Sequence, residues 1–287
     1  MMKQCMVALI TPFHEYGGID YVALGKLVKR LLKEGCDGFV VCGTTAETAT
    51  LTLAERKQIL RFVISLVKGR VPIYYGCGSN DTETTIAACK AVEDQAIDGV
   101  LLVTPYYNKP SQEGLYRHFY TIAKAIRQPI MLYQVPSRCG VSMSADTIIR
   151  LAKDCKQIVA LKYASHDLEL IETVLQQTDL IVYSGEDGQL LEGLEAGMQG
   201  IISVSGHLIL PQIKQFMQQY ENNHIDVALH RIIKDTAKYL FLECSPAPVK
   251  YVLSTRNECE NVLRLPLVSI SEDNKQYIDS FLQSTKF

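Results

Sequence analysis

Eight short apolar runs rich in β-branched residues recur along the chain, each followed by a turn and a longer amphipathic stretch. They are residues Met6–Ile10, Gly38–Cys42, Val71–Tyr75, Gly99–Val103, Ile130–Tyr133, Ile158–Lys162, Ile181–Ser184 and Gly200–Val204. Unbroken apolar runs of this length suit strands covered on both faces, and such strands run parallel with helices as their crossovers. The stretch at residues 21–34 shows the intervening pattern, with Leu24, Leu27, Val28, Leu31 and Leu32 on one helical face. Thr52 ahead of Leu53-Ala54-Glu55 reads as a capping box, and Ser111 ahead of Gln112-Glu113 as a second cap. Eight such units without a long interruption predict an α/β fold of the (β/α)8 TIM barrel type, with a doubly wound open sheet as the alternative. Helical patterns at 208–220, 227–242, 246–254 and 271–282 follow the eighth strand. One helix is expected to close a barrel of residues 1–224, and the rest to form a C-terminal helical extension, residues 225–287, packed on it.

Composition narrows the partners. The 287 residues are 47% hydrophobic, and 29 Lys and Arg against 31 Asp and Glu leave a formal charge of -2, so no basic footprint for nucleic acid or an anionic membrane is present. A small molecule is the expected ligand. No stretch reaches the roughly 18–20 apolar residues of a membrane span, and the opening MMKQCMVALITP is too short for a signal peptide. A cytoplasmic protein is expected. The nine cysteines form no C-x-x-C pair and read as reduced, mostly buried thiols.

In a barrel of this kind the chemistry sits at the carboxyl ends of the strands. Four polar groups fall there: Gly43-Thr44-Thr45 after strand two, Thr104-Pro105-Tyr106-Tyr107 after strand four, Tyr133 at the end of strand five and Lys162 at the end of strand six. An amine carried to a barrel mouth by a buried strand is desolvated, which favours its neutral, nucleophilic form. A surface lysine just past a strand end is the plainer alternative. Tyr133 and Tyr107 can exchange protons, although most tyrosines simply pack. Thr44 and Thr45 can bind a carboxylate or satisfy their own turn. Arg138 offers a guanidinium fork for a carboxylate, or a solvated loop charge. Gly76-Cys77-Gly78 lacks the third glycine of a dinucleotide loop, and the six histidines are dispersed without a compact metal-ligand spacing. No metal is expected. Glu186-Asp187 after strand seven reads as a helix first turn rather than a cation site.

Five segments then carry a resemblance: residues 8–13 (ALITPF), 43–47 (GTTAE), 104–110 (TPYYNKP), 133–138 (YQVPSR) and 161–162 (LK). In this order, over nearly the whole length, the chain resembles the dihydrodipicolinate synthase family of lysine-dependent, pyruvate-handling aldolases. The resemblance implies a Schiff base between Lys162 and pyruvate, whose enamine attacks L-aspartate 4-semialdehyde to give 4-hydroxy-tetrahydrodipicolinate in diaminopimelate and lysine biosynthesis. It further implies a proton relay of Tyr133, Thr44 and Tyr107, the last reaching into a neighbouring subunit of a homotetramer arranged as a dimer of dimers. Thr45 would hold the pyruvate carboxylate and Arg138 the aldehyde substrate's, with Gly185 and Ile202 completing the substrate-binding set. No cofactor is implied, because the iminium is itself the electron sink.

Three positions depart from the family pattern: Ala46 for glycine, Gln134 for asparagine, and Tyr163 for glutamate beside the nucleophile, where a bulky ring could reshape the pocket. An N-acetylneuraminate lyase-like or sugar-acid aldolase is the sister reading, disfavoured by Thr44-Thr45 and Arg138. A non-catalytic ligand-sensing barrel is the reading from another class, disfavoured by the intact Lys162, Tyr133, Thr44 and Tyr107. Inhibition by lysine, which in sensitive members involves positions matching Asn80 and Tyr106, is expected to be weak. Here Leu53 and the cationic Arg56 replace histidines, and the acidic position falls on Thr84 with Glu83 one residue early.

Overall fold

The computed structural model describes residues 2–284. Eight parallel strands close a barrel in chain order. They are β1 (Gln4–Ala8), β2 (Gly38–Val41), β3 (Ile73–Gly76), β4 (Gly99–Val103), β5 (Ile130–Gln134), β6 (Ile158–Tyr163), β7 (Ile181–Ser184) and β8 (Gly200–Ser203). The crossovers carry α1 (Tyr21–Lys33), α2 (Leu53–Val67), α3 (Thr82–Lys90), α4 (Gln112–Ala125), the single turn α5 (Pro136–Cys139), α6 (Ala145–Asp154), α7 (Leu168–Gln177) and α8 (Leu190–Glu195). After β8 come α9 (Gly206–Glu221), α10 (Val227–Leu240), α11 (Ala247–Thr255) and α12 (Glu272–Ser284). The barrel and the C-terminal helices expected from the apolar pattern are therefore present.

By its internal packing the chain divides into two compact units. One comprises residues 2–4 and 72–202, with β3–β7 and most of β8; the other comprises residues 5–71 and 203–284, with most of β1, all of β2 and the C-terminal helices. Capping chemistry fixes the helix starts in both. Thr52 and Glu55 close the anticipated box at α2, Ser111 accepts from the Gly114 amide at α4, and Asp20 accepts from the Val22 and Ala23 amides at α1.

Strand limits depart from the sequence reading where a local group competes for the ladder. β3 begins at Ile73 rather than Val71 because Pro72 has no N–H to give, and the Ile73 amide donates to Asp98 Oδ2 at 2.8 Å. Asp37 does the same for β1, accepting from the Cys5 amide at 2.8 Å. Each of these aspartates precedes the glycine that starts the next strand. β1 stops at Ala8 rather than Ile10, since the Ile10 amide turns to His207 Nε2.

The pairing of β5 with β6 slips by one residue between Ile130 and Met131, so that Met131 pairs with Ala160, and Tyr133 with Lys162. Unslipped pairing would set Tyr133 level with Leu161, on the other face. The irregularity thus puts a phenol and an amine side by side.

At the start of β8, Gly200 leaves no room for a side chain: a Cβ there would lie 1.9 Å from the Gln4 carbonyl oxygen. The clash is with backbone of the first strand, which is itself held by the bond from the Gln4 amide to Gln199 O at 3.1 Å. Gly200→Ala is therefore expected to destabilise the fold by about 1–3 kcal/mol or more, as overpacking does. A urea midpoint that falls with an unchanged slope checks this, and an unshifted midpoint contradicts it.

Candidate active site

In the first unit, β6 delivers Lys162 into a nearly closed environment. The residue is only 6% exposed. Its ammonium lies 4.6 Å from the centroid of the Tyr133 ring, over the face that attracts cations. Burial pulls the Lys162 pKa down to about 8; Asp187 and Glu186 oppose this, while the Arg138 guanidinium adds to it. An ordinary lysine at pH 7 is neutral in about one molecule in three thousand, whereas a pKa near 8 raises that to roughly one in ten. The arrangement suits nucleophilic attack on a carbonyl.

The lysine needs space along its stem, and Gly185 provides it. A Cβ at Gly185 would come within 2.9 Å of both Lys162 Cε and Ala164 Cβ. The Gly185 amide donates to Tyr163 O at 2.7 Å, which fixes that approach. Ile202 is fully buried in β8.

Glu186 and Asp187 correct the sequence reading. Asp187 does start a single 3-10 turn, but Glu186 makes no side-chain capping bond and Asp187 is almost fully buried. Both carboxylates act on the Lys162 amine, and burial raises the Glu186 pKa. Their charge favours the protonated Lys162 amine, an influence that a first-turn pattern could not reveal because Lys162 lies on a neighbouring strand.

Two of the three departures from the family pattern prove benign within this unit. Strand alternation turns Tyr163 to the face opposite Lys162, where its hydroxyl donates to Asp167 O at 2.9 Å. The ring does not crowd the nucleophile. Gln134, fully buried, accepts from the Met143 amide at 2.7 Å and donates to the Met143 carbonyl at 3.3 Å, tying down the segment after α5. Arg138 sits on α5, a single turn that opens on Pro136 and ends at Gly140 with φ +70°.

Tyr107 is not part of this buried group. It stands 89% exposed on the turn after β4, at φ 75°, a left-handed conformation rare for an aromatic residue. The turn is braced: Asn80 Nδ2 and the Asn108 amide both donate to Tyr106 O, and Asn108 Nδ2 donates to Asn80 O.

The second unit holds Thr44 and Thr45 in a 3-10 turn directly after β2. Thr48 and Thr50, further along the same loop, spend their hydroxyls on the carbonyls of Gly43 and Glu47. Those of Thr44 and Thr45 make no such bond, so the reading of a turn that satisfies itself applies to their neighbours instead. Ala46 lies inside the turn, outside the positive-φ residues, so an alanine costs no strain there.

Sequence reasoning missed what supports this loop. Glu47, at φ 56°, and Lys250 of α11 form a fully buried ion pair at 2.5 Å, each 0% exposed. Lys250 also donates to Val262 O at 2.7 Å, and the second Glu47 oxygen accepts from the Arg264 amide at 2.9 Å. The only signal was a single charge among the apolar positions Val249, Val252 and Leu253. Arg264 then grips Glu55, the Thr50 carbonyl and the Gly17 carbonyl. Arg56, read as a fixed charge beside an inhibitor, places its guanidinium on the Leu51 and Thr48 carbonyls.

The dispersed histidines include one that the fold brings to carboxylates. His14 Nδ1 is 3.2 Å from Glu260 Oε1 and 3.8 Å from Asp20 Oδ2. The other oxygens of these two carboxylates take the Glu15 amide and cap α1 respectively.

Comparison with known proteins shows the family. A model of the dihydrodipicolinate synthetase family matches residues 1–285. The chain is 42% identical to the 4-hydroxy-tetrahydrodipicolinate synthase of Bacillus subtilis over 277 residues, covering 95% of this chain and 96% of that protein. The crystal structure of a dihydrodipicolinate synthase from Bacillus anthracis superposes with a TM-score of 0.96 at 37% identity, covering 100% of both chains. That of the Thermotoga maritima enzyme gives 0.95 at 35% identity, covering 99% of this chain and 98% of that one. The chain belongs to the dihydrodipicolinate synthetase family.

Proposed function

We propose that this chain joins pyruvate to L-aspartate 4-semialdehyde, as a 4-hydroxy-tetrahydrodipicolinate synthase of lysine and diaminopimelate biosynthesis. The observation that carries the chemistry is the buried Lys162 amine beside Tyr133, with a pKa drawn down to about 8 by burial. The neutral amine adds to the keto carbon of pyruvate, and water leaves to give an iminium. Loss of a methyl proton makes the enamine, whose carbon attacks the aldehyde of the second substrate. The amino group of that substrate then adds to the iminium carbon, the ring closes and Lys162 is expelled.

In this reading Tyr133, Thr44 and Tyr107 move the protons, and Thr45 holds the pyruvate carboxylate. Arg138 binds the carboxylate of the aldehyde substrate, and Gly185 and Ile202 line the pyruvate side. The free hydroxyls of Thr44 and Thr45 and the clearance at Gly185 support these assignments. No external cofactor is required, because the iminium accepts the electrons. A sialate or sugar-acid lyase would not call on Arg138 in this way, and a sensing barrel would have no use for a desolvated amine.

The exposed Tyr107, held in a left-handed turn, supports its action in trans within a homotetramer built as a dimer of dimers. The setting is expected to be cytoplasmic; among the described residues no helix is long and apolar enough to cross a membrane.

Incubation with pyruvate, borohydride reduction and peptide mass analysis is expected to place the adduct on Lys162, with none in Lys162→Ala. An adduct on another lysine, or none at all, contradicts the mechanism. Tyr107 gives an independent check: specific activity should fall on dilution as sedimentation shows dissociation to monomers, and a fully active monomer would contradict its action in trans.

A further inference from the structure

All nine cysteines are reduced, none of them in a disulfide, and one pair among them faces sulfur to sulfur. Cys77 Sγ and Cys89 Sγ stand 3.1 Å apart. That is inside the about 3.5–4.0 Å at which non-bonded heavy atoms are most comfortable, and roughly 1 Å beyond a disulfide bond. Cys77 follows the last residue of β3, and Cys89 lies in the last turn of α3. Both ends are anchored: the Cys77 amide donates to Leu101 O, and the Cys89 carbonyl accepts from Gln128 Nε2 at 2.9 Å.

We propose that Cys77 and Cys89 are a redox-reactive pair, which a small peroxide converts reversibly to an intrachain disulfide. Cys77 is 4% exposed and Cys89 is 0% exposed. Burial therefore shuts out bulky thiol reagents, and the less buried sulfur meets the oxidant first. The Cys77 sulfur attacks one peroxide oxygen, breaking the O–O bond and leaving a sulfenic acid and one water. The Cys89 sulfur displaces that hydroxyl, forming the S–S bond and a second water. The two sulfurs supply the two electrons that reduce the peroxide, and the two thiol protons end in the waters.

The segment between the two sulfurs carries Asn80, which braces the turn of Tyr106 and Tyr107. Closing the disulfide draws the end of β3 toward α3 and shifts that brace, so turnover of the oxidised protein falls. This second consequence rests on the role proposed for Tyr107; disulfide formation does not.

The test uses the whole protein, treated with hydrogen peroxide, then denatured, alkylated with N-ethylmaleimide and digested with trypsin. Residues 71–90, between Arg70 and Lys90, form one tryptic peptide that holds these two cysteines and no other. It should lose both labels and run about 2 Da below its dithiol mass, and dithiothreitol before alkylation should restore both labels. If the peptide keeps two labels when the exposed Cys244 is already oxidised, or if either sulfur links elsewhere, the pairing is wrong. Turnover should fall with the disulfide and recover with dithiothreitol, while Cys89→Ala, or Cys77→Ala as a second variant, keeps its own rate under peroxide. An equal fall in both variants would overturn the coupling and leave the mass result to decide the disulfide by itself.

Discussion

Removing one ammonium group from water is the constraint around which the first unit is arranged. A charged lysine at 6% exposure loses hydration, so the protein must pair it, neutralise it, or both. Here it does each in part. Asp187 and Glu186 keep the amine from losing its proton altogether, while burial and Arg138 keep it from holding that proton at ordinary lysine strength. The compromise falls near neutral pH, where a useful fraction of the amine is neutral and nucleophilic. Gly185 and the slipped pairing of β5 with β6 are the steric conditions for it: one clears the stem, and the other levels the amine with the Tyr133 phenol.

This placement opposes folding. A lysine whose pKa is about 10.5 in the unfolded chain and about 8 in the folded one binds more protons when unfolded between those pH values. Folding is therefore penalised fully below pH 8, by on the order of 3 kcal/mol, and the penalty is relieved as pH rises toward 10.5. The second unit faces a different problem with a related solution. Glu47 and Lys250 are both out of water, but each is the other's counter-ion and each has a further backbone partner. Nothing there is left to react. The pair ties the loop bearing Thr44 and Thr45 to the C-terminal segment, so that two threonine hydroxyls can remain unspent on a loop that does not sag.

The parts legible in the sequence were those whose cause is local or periodic. Apolar runs marked every strand, because strands covered on both faces need them, and Thr52 with Glu55 marked a helix start because a capping box spans four residues. Lys162 stood out as a charge ending an apolar run. What escaped depends on register or on distance along the chain. The slip at Ile130 leaves no trace in composition, yet it decides which face Tyr133 occupies. Glu47 and Lys250 are 203 positions apart. Glu186 and Asp187 do open a 3-10 turn, as their local context suggests, but their influence on Lys162 crosses to a neighbouring strand, and Tyr163 is turned by strand alternation to the far side of β6. The resemblance to a family named candidates for the substrate site, Thr44 and Thr45 among them, but not the buried pair that supports their loop.

The central claim is that Lys162 is a nucleophile because burial lowers its pKa. The most direct measurement is the pH dependence of the rate at which the iminium forms with pyruvate, followed by rapid borohydride trapping. The account predicts a rate that rises through a midpoint near pH 8 and then levels, with Asp187→Asn moving the midpoint lower by removing a carboxylate that favours the charged amine. A rate that goes on climbing toward pH 10.5 would show an ordinary lysine and contradict it.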